Sequence, residues 1–275
     1  MPIESQPILS ENYRFLQEHV YAGSGIVLEE GKQYLFECRL APIVTRLGLG
    51  SINDLCTALR AGGTQELGQQ VVEAMTTNET YFFRDPSHFE AIRTHFLPQL
   101  RNERAASRTM RFWSAASSTG QEAYSLAMTL LEAGFGGWNI EILGTDIASR
   151  VVERARTARY QQIEVNRGLP AALLVKYFTR TGVEWQLNEG PRRLARFEER
   201  DLRSSVRLPG IFDLIFCRNV MIYFDSATRI KLIEQFRESL VPGGWLFVGG
   251  AETALDIDKW FERRTVGDAI VYVAR

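Results

Sequence analysis

The sequence predicts an α/β chain: a mostly parallel, doubly wound sheet, preceded by a small all-helical segment and interrupted by a short antiparallel insertion. Three observations carry that reading. From about Arg111 onward, strand-like and helix-like runs alternate. Up to about Met75 only helical periodicity is present, broken at glycines. Between Ala171 and Asp201 the alternation gives way to short extended runs separated by turn residues.

Taken in order, helices are expected over 11–21, 29–47, 51–60 and 65–75, with Gly-rich breaks at 23–25, 48–50 and 62–63. Thr76 to Leu100 reads as a connecting segment followed by a helix from Pro86 to about Phe96. Strands then fall at 111–115, 139–145, 211–217 and 244–249, with helices at 120–133, 148–157 and 226–239 and a terminal strand pair at about 261–265 and 269–274. In the insertion the extended runs are Lys176–Arg180, Val183–Leu187 and Arg193–Phe197, the last continuing as a core strand toward Asp201 and Leu202.

Composition narrows the function classes. With 275 residues, 45% of them hydrophobic and 24% charged, the chain can bury a full core. Its net charge of −1 supplies no global field toward nucleic acid or an anionic membrane, so a charge-driven partner needs a local patch. Three cysteines without CxxC spacing argue against a disulfide framework and for a reducing, cytoplasmic setting. Neither a signal peptide nor a membrane-spanning run is expected. Three histidines and no ligand-spaced cluster give no metal site.

The polar groups of interest fall at strand ends, where open α/β sheets bind ligands. The strand 211–216 breaks into Cys217, Arg218 and Asn219, and Tyr223 follows. After the first strand, Gly120 opens a helix whose first turn holds Glu122; an acid there disfavours a pyrophosphate, and the absent GxGxxG removes support for a nicotinamide cofactor. Glu122 is suited either to cap its helix or to accept from an amine. Asp146, ending the second strand, is placed to accept from ribose hydroxyls and to cap the next helix. Asp201 ends a third strand and is a candidate for an adenine amino group, or belongs to a solvated charged run, 198–203. Tyr223 is either a half-buried aromatic or a phenol that orients a carboxylate.

Four blocks together carry a resemblance: Thr76-Thr-Asn-Glu-Thr-Tyr-Phe-Phe-Arg-Asp85, Phe112-Trp-Ser-Ala-Ala-Ser-Ser-Thr-Gly-Gln-Glu122, Gly144-Thr-Asp-Ile147 and Phe212-Asp-Leu-Ile-Phe-Cys-Arg-Asn-Val-Met-Ile-Tyr-Phe-Asp225. They resemble the signature blocks of the CheR family of chemotaxis receptor methyltransferases. The resemblance implies a helical N-terminal domain over 1–76 and a Rossmann-like, S-adenosylmethionine-dependent methyltransferase domain over 77–275, with a small β-subdomain inserted at about 173–199. It implies methyl transfer to glutamate side chains on chemoreceptor cytoplasmic helices, giving methyl esters and S-adenosylhomocysteine.

By the same resemblance Asn78, Thr80 and Arg84 line the cofactor site from the connecting segment. Glu122 and Asp146 meet the methionine amine and ribose, Asp201 and Leu202 lie near the adenine, and Arg218 and Asn219 complete the pocket. Arg84 and Tyr223 are expected to orient the substrate carboxylate. Family members often carry Asn where this chain has Asp201, which keeps an acceptor and loses a donor. Lys32, Arg39 and Arg46 fall seven apart, on nearly one helical face, within an N-terminal segment of net charge −4 over residues 1–75. They are the candidate docking face for acidic receptor helices, although Pro42 is expected to kink or end that helix. Some family members grip a receptor pentapeptide tether with the β-subdomain. The short turns at Thr181-Gly182 and Asn188–Pro191 suggest that this chain does not depend on one.

Overall fold

The computed structural model describes residues 6–204, 211–252 and 257–275. Two compact units are present, one of residues 1–77 with 223–228, the other of 78–222 with 229–275. The first therefore takes in a short stretch from far along the chain, beyond the boundary expected at residue 76.

Four helices build the first unit: α1 (Ser10–Ser24), α2 (Gln33–Arg46), α3 (Ile52–Arg60) and α4 (Gln65–Met75). Local chemistry sets their ends. Gly25 stops α1 in the left-handed region at φ 76°, and the Ser51 and Thr64 hydroxyls accept the Asp54 and Leu67 amides to start α3 and α4. Leu16, Val20, Phe36, Leu40, Val44, Leu55, Val71 and Met75 form the core, so every helix contributes to it. The helix α2 does not end at Pro42 but continues through it to Arg46. The proline is exposed, while Phe36, Leu40, Ile43 and Val44 bury the opposite face and outweigh one lost amide. Tyr223 packs against this core, its carbonyl accepts the Val27 amide at 2.9 Å, and Tyr21 donates to Asp225 at 2.7 Å.

The second unit begins with α5 (Pro86–Ala91), a π-turn (Ile92–Phe96) and α6 (Leu97–Glu103), so the helix expected to stop near Phe96 continues. There follow β1 (Thr109–Ala115), α7 (Gln121–Glu132), β2 (Asn139–Asp146), α8 (Ser149–Thr157), β3 (Arg159–Gln161), α9 (Gln162–Val165), α10 (Ala171–Tyr177), β4 (Phe178–Thr181), β5 (Glu184–Leu187), α11 (Glu189–Arg192) and β6 (Ala195–Glu199). The chain closes with β7 (Phe212–Cys217), a one-turn 3-10 helix (Met221–Tyr223), α12 (Ser226–Ser239), β8 (Leu240–Val248), a second 3-10 turn (Ile257–Lys259), β9 (Phe261–Val266) and β10 (Ala269–Ala274).

The main sheet has the order β6-β2-β1-β7-β8-β10-β9, parallel except that β10 runs antiparallel to both its neighbours. Every residue of β7 is buried, as a central parallel strand requires. A separate antiparallel sheet, β3-β5-β4, forms the insertion.

The insertion differs from the expected 173–199 in two ways. Its third strand is Arg159–Gln161, directly after α8, so it begins before residue 173; and it ends before Arg193–Phe197, the run expected to continue as a core strand, which supplies β6 of the main sheet, parallel to β2 from Ile142↔Ala195 to Asp146↔Glu199. Phe197 anchors β6 there: it is buried, its ring packed edge-on against Tyr124 of α7, 5.3 Å away. Lys176 and Tyr177 likewise end α10 rather than begin a strand, because runs this short have no decisive period.

Candidate active site

The strand order reverses between β1 and β7, which makes the space beyond their carboxyl ends the switch-point crevice of the large unit. Each predicted strand-end residue can be placed there in turn.

The loop after β1 alternates into the left-handed region at Ala116 (φ 59°), Ser118 (φ 49°) and Gly120 (φ 90°). Only glycine suits the last of these: a Cβ would also lie 3.0 Å from the Phe197 ring and 3.1 Å from Ala155. The Ser118 amide donates to Asp146 Oδ2 at 2.8 Å, and the Ser118 hydroxyl donates to the Asn78 carbonyl at 2.7 Å. Asp146, 5% exposed, also accepts the Ala148 amide through Oδ1 at 3.0 Å. It therefore both starts α8 and fixes the β1 loop.

Glu122 accepts the Ser114 hydroxyl through Oε1 at 2.6 Å and Arg218 Nε through Oε2 at 2.7 Å. Arg218 has a side chain 2% exposed; its Nη1 donates to the Arg84 carbonyl at 2.6 Å and to Asp85 Oδ2 at 3.1 Å, and its guanidinium lies 5.0 Å from the Phe216 ring centre. The arginine thus clamps the end of β7 to α7 and to the 84–85 segment. Glu122 shares its charge with that arginine, so any amine it meets adds to an existing pair. His88 lies beside the clamp, Nδ1 3.4 Å from Arg218 Nη1, and burial, with the Arg218 charge second, pushes its pKa down to about 4.

Asn219 sits at φ 60° with its amide donated to Glu252 at 2.7 Å, and its Oδ1 is buried without a hydrogen-bond partner among the described residues. Ser117 Oγ is orphaned in the same way. Buried polar atoms left bare cost free energy unless a ligand or water meets them. Two such atoms at the ends of β1 and β7, beside an acid at the end of β2, fit a polar, nucleoside-bearing cofactor.

The segment 78–85 is held by Phe82, fully buried against Tyr160 and Phe178, and by the Phe83 amide, which donates to Ser125 at 2.9 Å. Phe83 and Asp85 adopt positive φ, 52° and 56°. Thr80 is half-buried on this segment. Arg84 is half-buried, donating to the Glu79 carbonyl at 3.3 Å with its guanidinium 5.5 Å from the Tyr81 ring centre. The acids on either side pair elsewhere, Glu79 with Arg167 at 2.7 Å and Asp85 with Arg218. Asp201 accepts the Arg203 amide at 2.8 Å and both Nε and Nη2 of the same arginine, and Leu202 is buried.

Tyr223 belongs to the helical unit. So do the three cations of the expected docking face. Lys32 precedes α2 and pairs with Glu29 at 3.6 Å; Arg39 donates to the Met75 and Thr76 carbonyls at 2.7 and 3.2 Å and to Thr77 Oγ1 at 3.0 Å; Arg46 donates to Gln70. Arg39 therefore satisfies the carbonyl end of α4. Glu252, which gathers amides from the ends of two strands, was not singled out in the sequence. The signal is slight: one acid three residues past Gly249, at the end of the last parallel strand.

A doubly wound sheet with buried acceptors at the ends of β1, β2 and β7 defines a protein that binds a nucleoside cofactor at the switch point. Residues 78–269 match the family described as CheR methyltransferase, SAM binding domain, and residues 11–76 match the CheR methyltransferase, all-alpha domain. The chain belongs to the CheR methyltransferase family, and is an S-adenosylmethionine-dependent methyltransferase of chemotaxis. It is 37% identical to a chemotaxis protein methyltransferase of Vibrio parahaemolyticus, over 96% of this chain and 97% of that protein. It is 34% identical to chemotaxis protein methyltransferase 1 of Pseudomonas aeruginosa, covering 91% and 93%. Among solved structures, magnesium protoporphyrin IX methyltransferase from Synechocystis PCC 6803 with bound SAM aligns at 12% identity, with a TM-score of 0.36 and coverage of 80% and 95%.

Proposed function

We propose that the chain esterifies glutamate side chains on chemoreceptor cytoplasmic helices, within the cytoplasm. The observation that carries this is Arg84: a half-buried guanidinium on an anchored segment, whose flanking acids are each paired with another arginine and so leave it to an incoming carboxylate. Asn78, Thr80, Glu122, Asp146, Asp201, Leu202, Arg218 and Asn219 are the residues that would hold the cofactor. When bound, S-adenosylmethionine supplies an electrophilic methyl group whose sulfur departs as a neutral thioether.

The acceptor needs no base, because a glutamate with a pKa of about 4.3 is anionic near neutral pH. What remains for the protein is alignment and partial desolvation of that carboxylate, the work assigned to Arg84 of the large unit. Lys32 and Arg46 are the docking cations in this reading, Arg39 being committed first to α4. The shortness of the β4–β5 turn, two residues between Thr181 and Glu184, supports independence from a receptor tether; calorimetry with a receptor tail pentapeptide should detect no micromolar binding. Incubation with methyl-labelled S-adenosylmethionine and receptor fragments should label glutamates and release methanol in base. Base-stable label would exclude an ester and refute the proposal.

A further inference from the structure

The turn after β8 carries an acid that the methyl-transfer chemistry does not use. Glu252 is 6% exposed, and its amide donates to the Gly249 carbonyl at 2.8 Å, folding the side chain back over the ends of β7 and β8. Oε2 accepts the amides of Gly249 at 2.6 Å and Asn219 at 2.7 Å; Oε1 accepts those of Val220 at 2.8 Å, Met221 at 2.7 Å and, more weakly, Ile222 at 3.4 Å. Three of the donors, at 220–222, open the 3-10 turn, where amides lack intrahelical partners and favour an anion. Gly249 is required for this approach, since a Cβ would lie 2.7 Å from Glu252 Oε2 and 2.8 Å from Asn219 Nδ2.

We infer that Glu252 is a positioning residue for cofactor binding, acting through Asn219. Asn219 sits in the left-handed region, which asparagine tolerates better than other non-glycine residues but which still needs a local constraint to be held. The Glu252 carboxylate supplies that constraint, fixing the Asn219 main chain and, with it, the buried Oδ1 that has no partner among the described residues. This rests on the reading that Asn219 meets the cofactor.

The test measures S-adenosylhomocysteine binding by calorimetry and stability by denaturant titration for Glu252→Gln, Asn219→Ala, their double variant, and Asp213→Asn. The last is a control: Asp213 is a buried carboxylate at the opposite end of β7, accepting Arg104 and the Arg111 amide. Glu252→Gln should weaken binding about tenfold or more, the order expected when buried donors lose an acceptor. The Michaelis constant for S-adenosylmethionine should rise while that for the receptor fragment stays unchanged. Asp213→Asn should lose stability yet bind within about twofold of wild type. The double variant should bind no more weakly than the weaker single variant, because both changes remove one contact. Additive losses, or wild-type binding by Glu252→Gln when Asn219→Ala is impaired, overturn the inference and leave the cofactor site standing. Wild-type binding by Asn219→Ala removes the site reading and this inference with it. Should Glu252→Gln fail to fold, Glu252→Asp tests the same contact by withdrawing the carboxylate from the 219–222 amides without adding an atom beside Asn219: weakened binding supports the inference and unchanged binding overturns it.

Discussion

The strand-end loops of the large unit and the surface of the helical unit both carry conspicuous charges, but they use them differently. At the ends of β1, β2, β7 and β8 the charges are buried and multiply bonded: Arg218 meets Glu122, Asp85 and a carbonyl, and Asp146 and Glu252 meet main-chain amides. In the helical unit Arg39 ends on the carbonyls of α4, and Lys32 and Arg46 make partly or fully exposed contacts. The first arrangement fixes geometry, since an unpaired charge there is expensive. The second leaves cations that screening and side-chain entropy make worth little in stability, and hence available to a partner.

The largest test of this contrast is Arg84→Ala. Half-buried and without an ion pair of its own among the described residues, Arg84 should be needed for turnover and dispensable for folding. Transfer to receptor fragments should drop about a thousandfold, with S-adenosylhomocysteine binding retained; unchanged turnover would remove its role. Next is Arg218→Met, which strands Glu122 in the interior. A loss of about 3–5 kcal/mol in urea unfolding is expected, and a loss below 1 kcal/mol would show that the clamp is not the constraint described.

His88 sharpens the comparison through pH. Its native pKa, about 4, lies below the ordinary value of 6.5, so between those limits the unfolded chain binds the proton and the native one does not. Stability from this group is complete above pH 6.5 and falls as pH drops toward 4, by up to about 3 kcal/mol. Midpoints measured across that window should show a shallower slope in His88→Gln than in wild type. The smallest effects belong to the helical unit. Arg39→Ala should cost about 1–2 kcal/mol by baring the end of α4, whereas Arg46→Ala should change stability by under about 0.5 kcal/mol and raise the receptor Michaelis constant. The reverse pattern would make Arg39 the docking cation.

Much of the fold was legible because long elements have unambiguous periods. The helical segment up to Met75, the buried run of β7, the helix 226–239 and the terminal hairpin fall close to where the pattern puts them. The insertion was less legible, since runs of four or five residues at 159–161, 176–181 and 193–199 do not reveal which sheet will take them. At the candidate site, Asp146, Arg218 and Asn219 were visible as polar breaks at strand ends and Glu122 as an acid in a helix's first turn. Their partners were not, because Glu122 meets Arg218 across 96 residues and Asn219 meets Glu252 across 33.

By itself, then, the sequence determined the alternation of elements, the polar strand ends and the family to which they belong, because hydrophobic period and residue type are local properties. Only the tertiary structure decided that Arg39 caps α4, that Arg159–Gln161 supplies the third strand of the small sheet, and that one acid past Gly249 gathers five amides. Each of those outcomes depends on which distant groups burial forces together, and a buried donor or acceptor takes the partner that packing brings within reach.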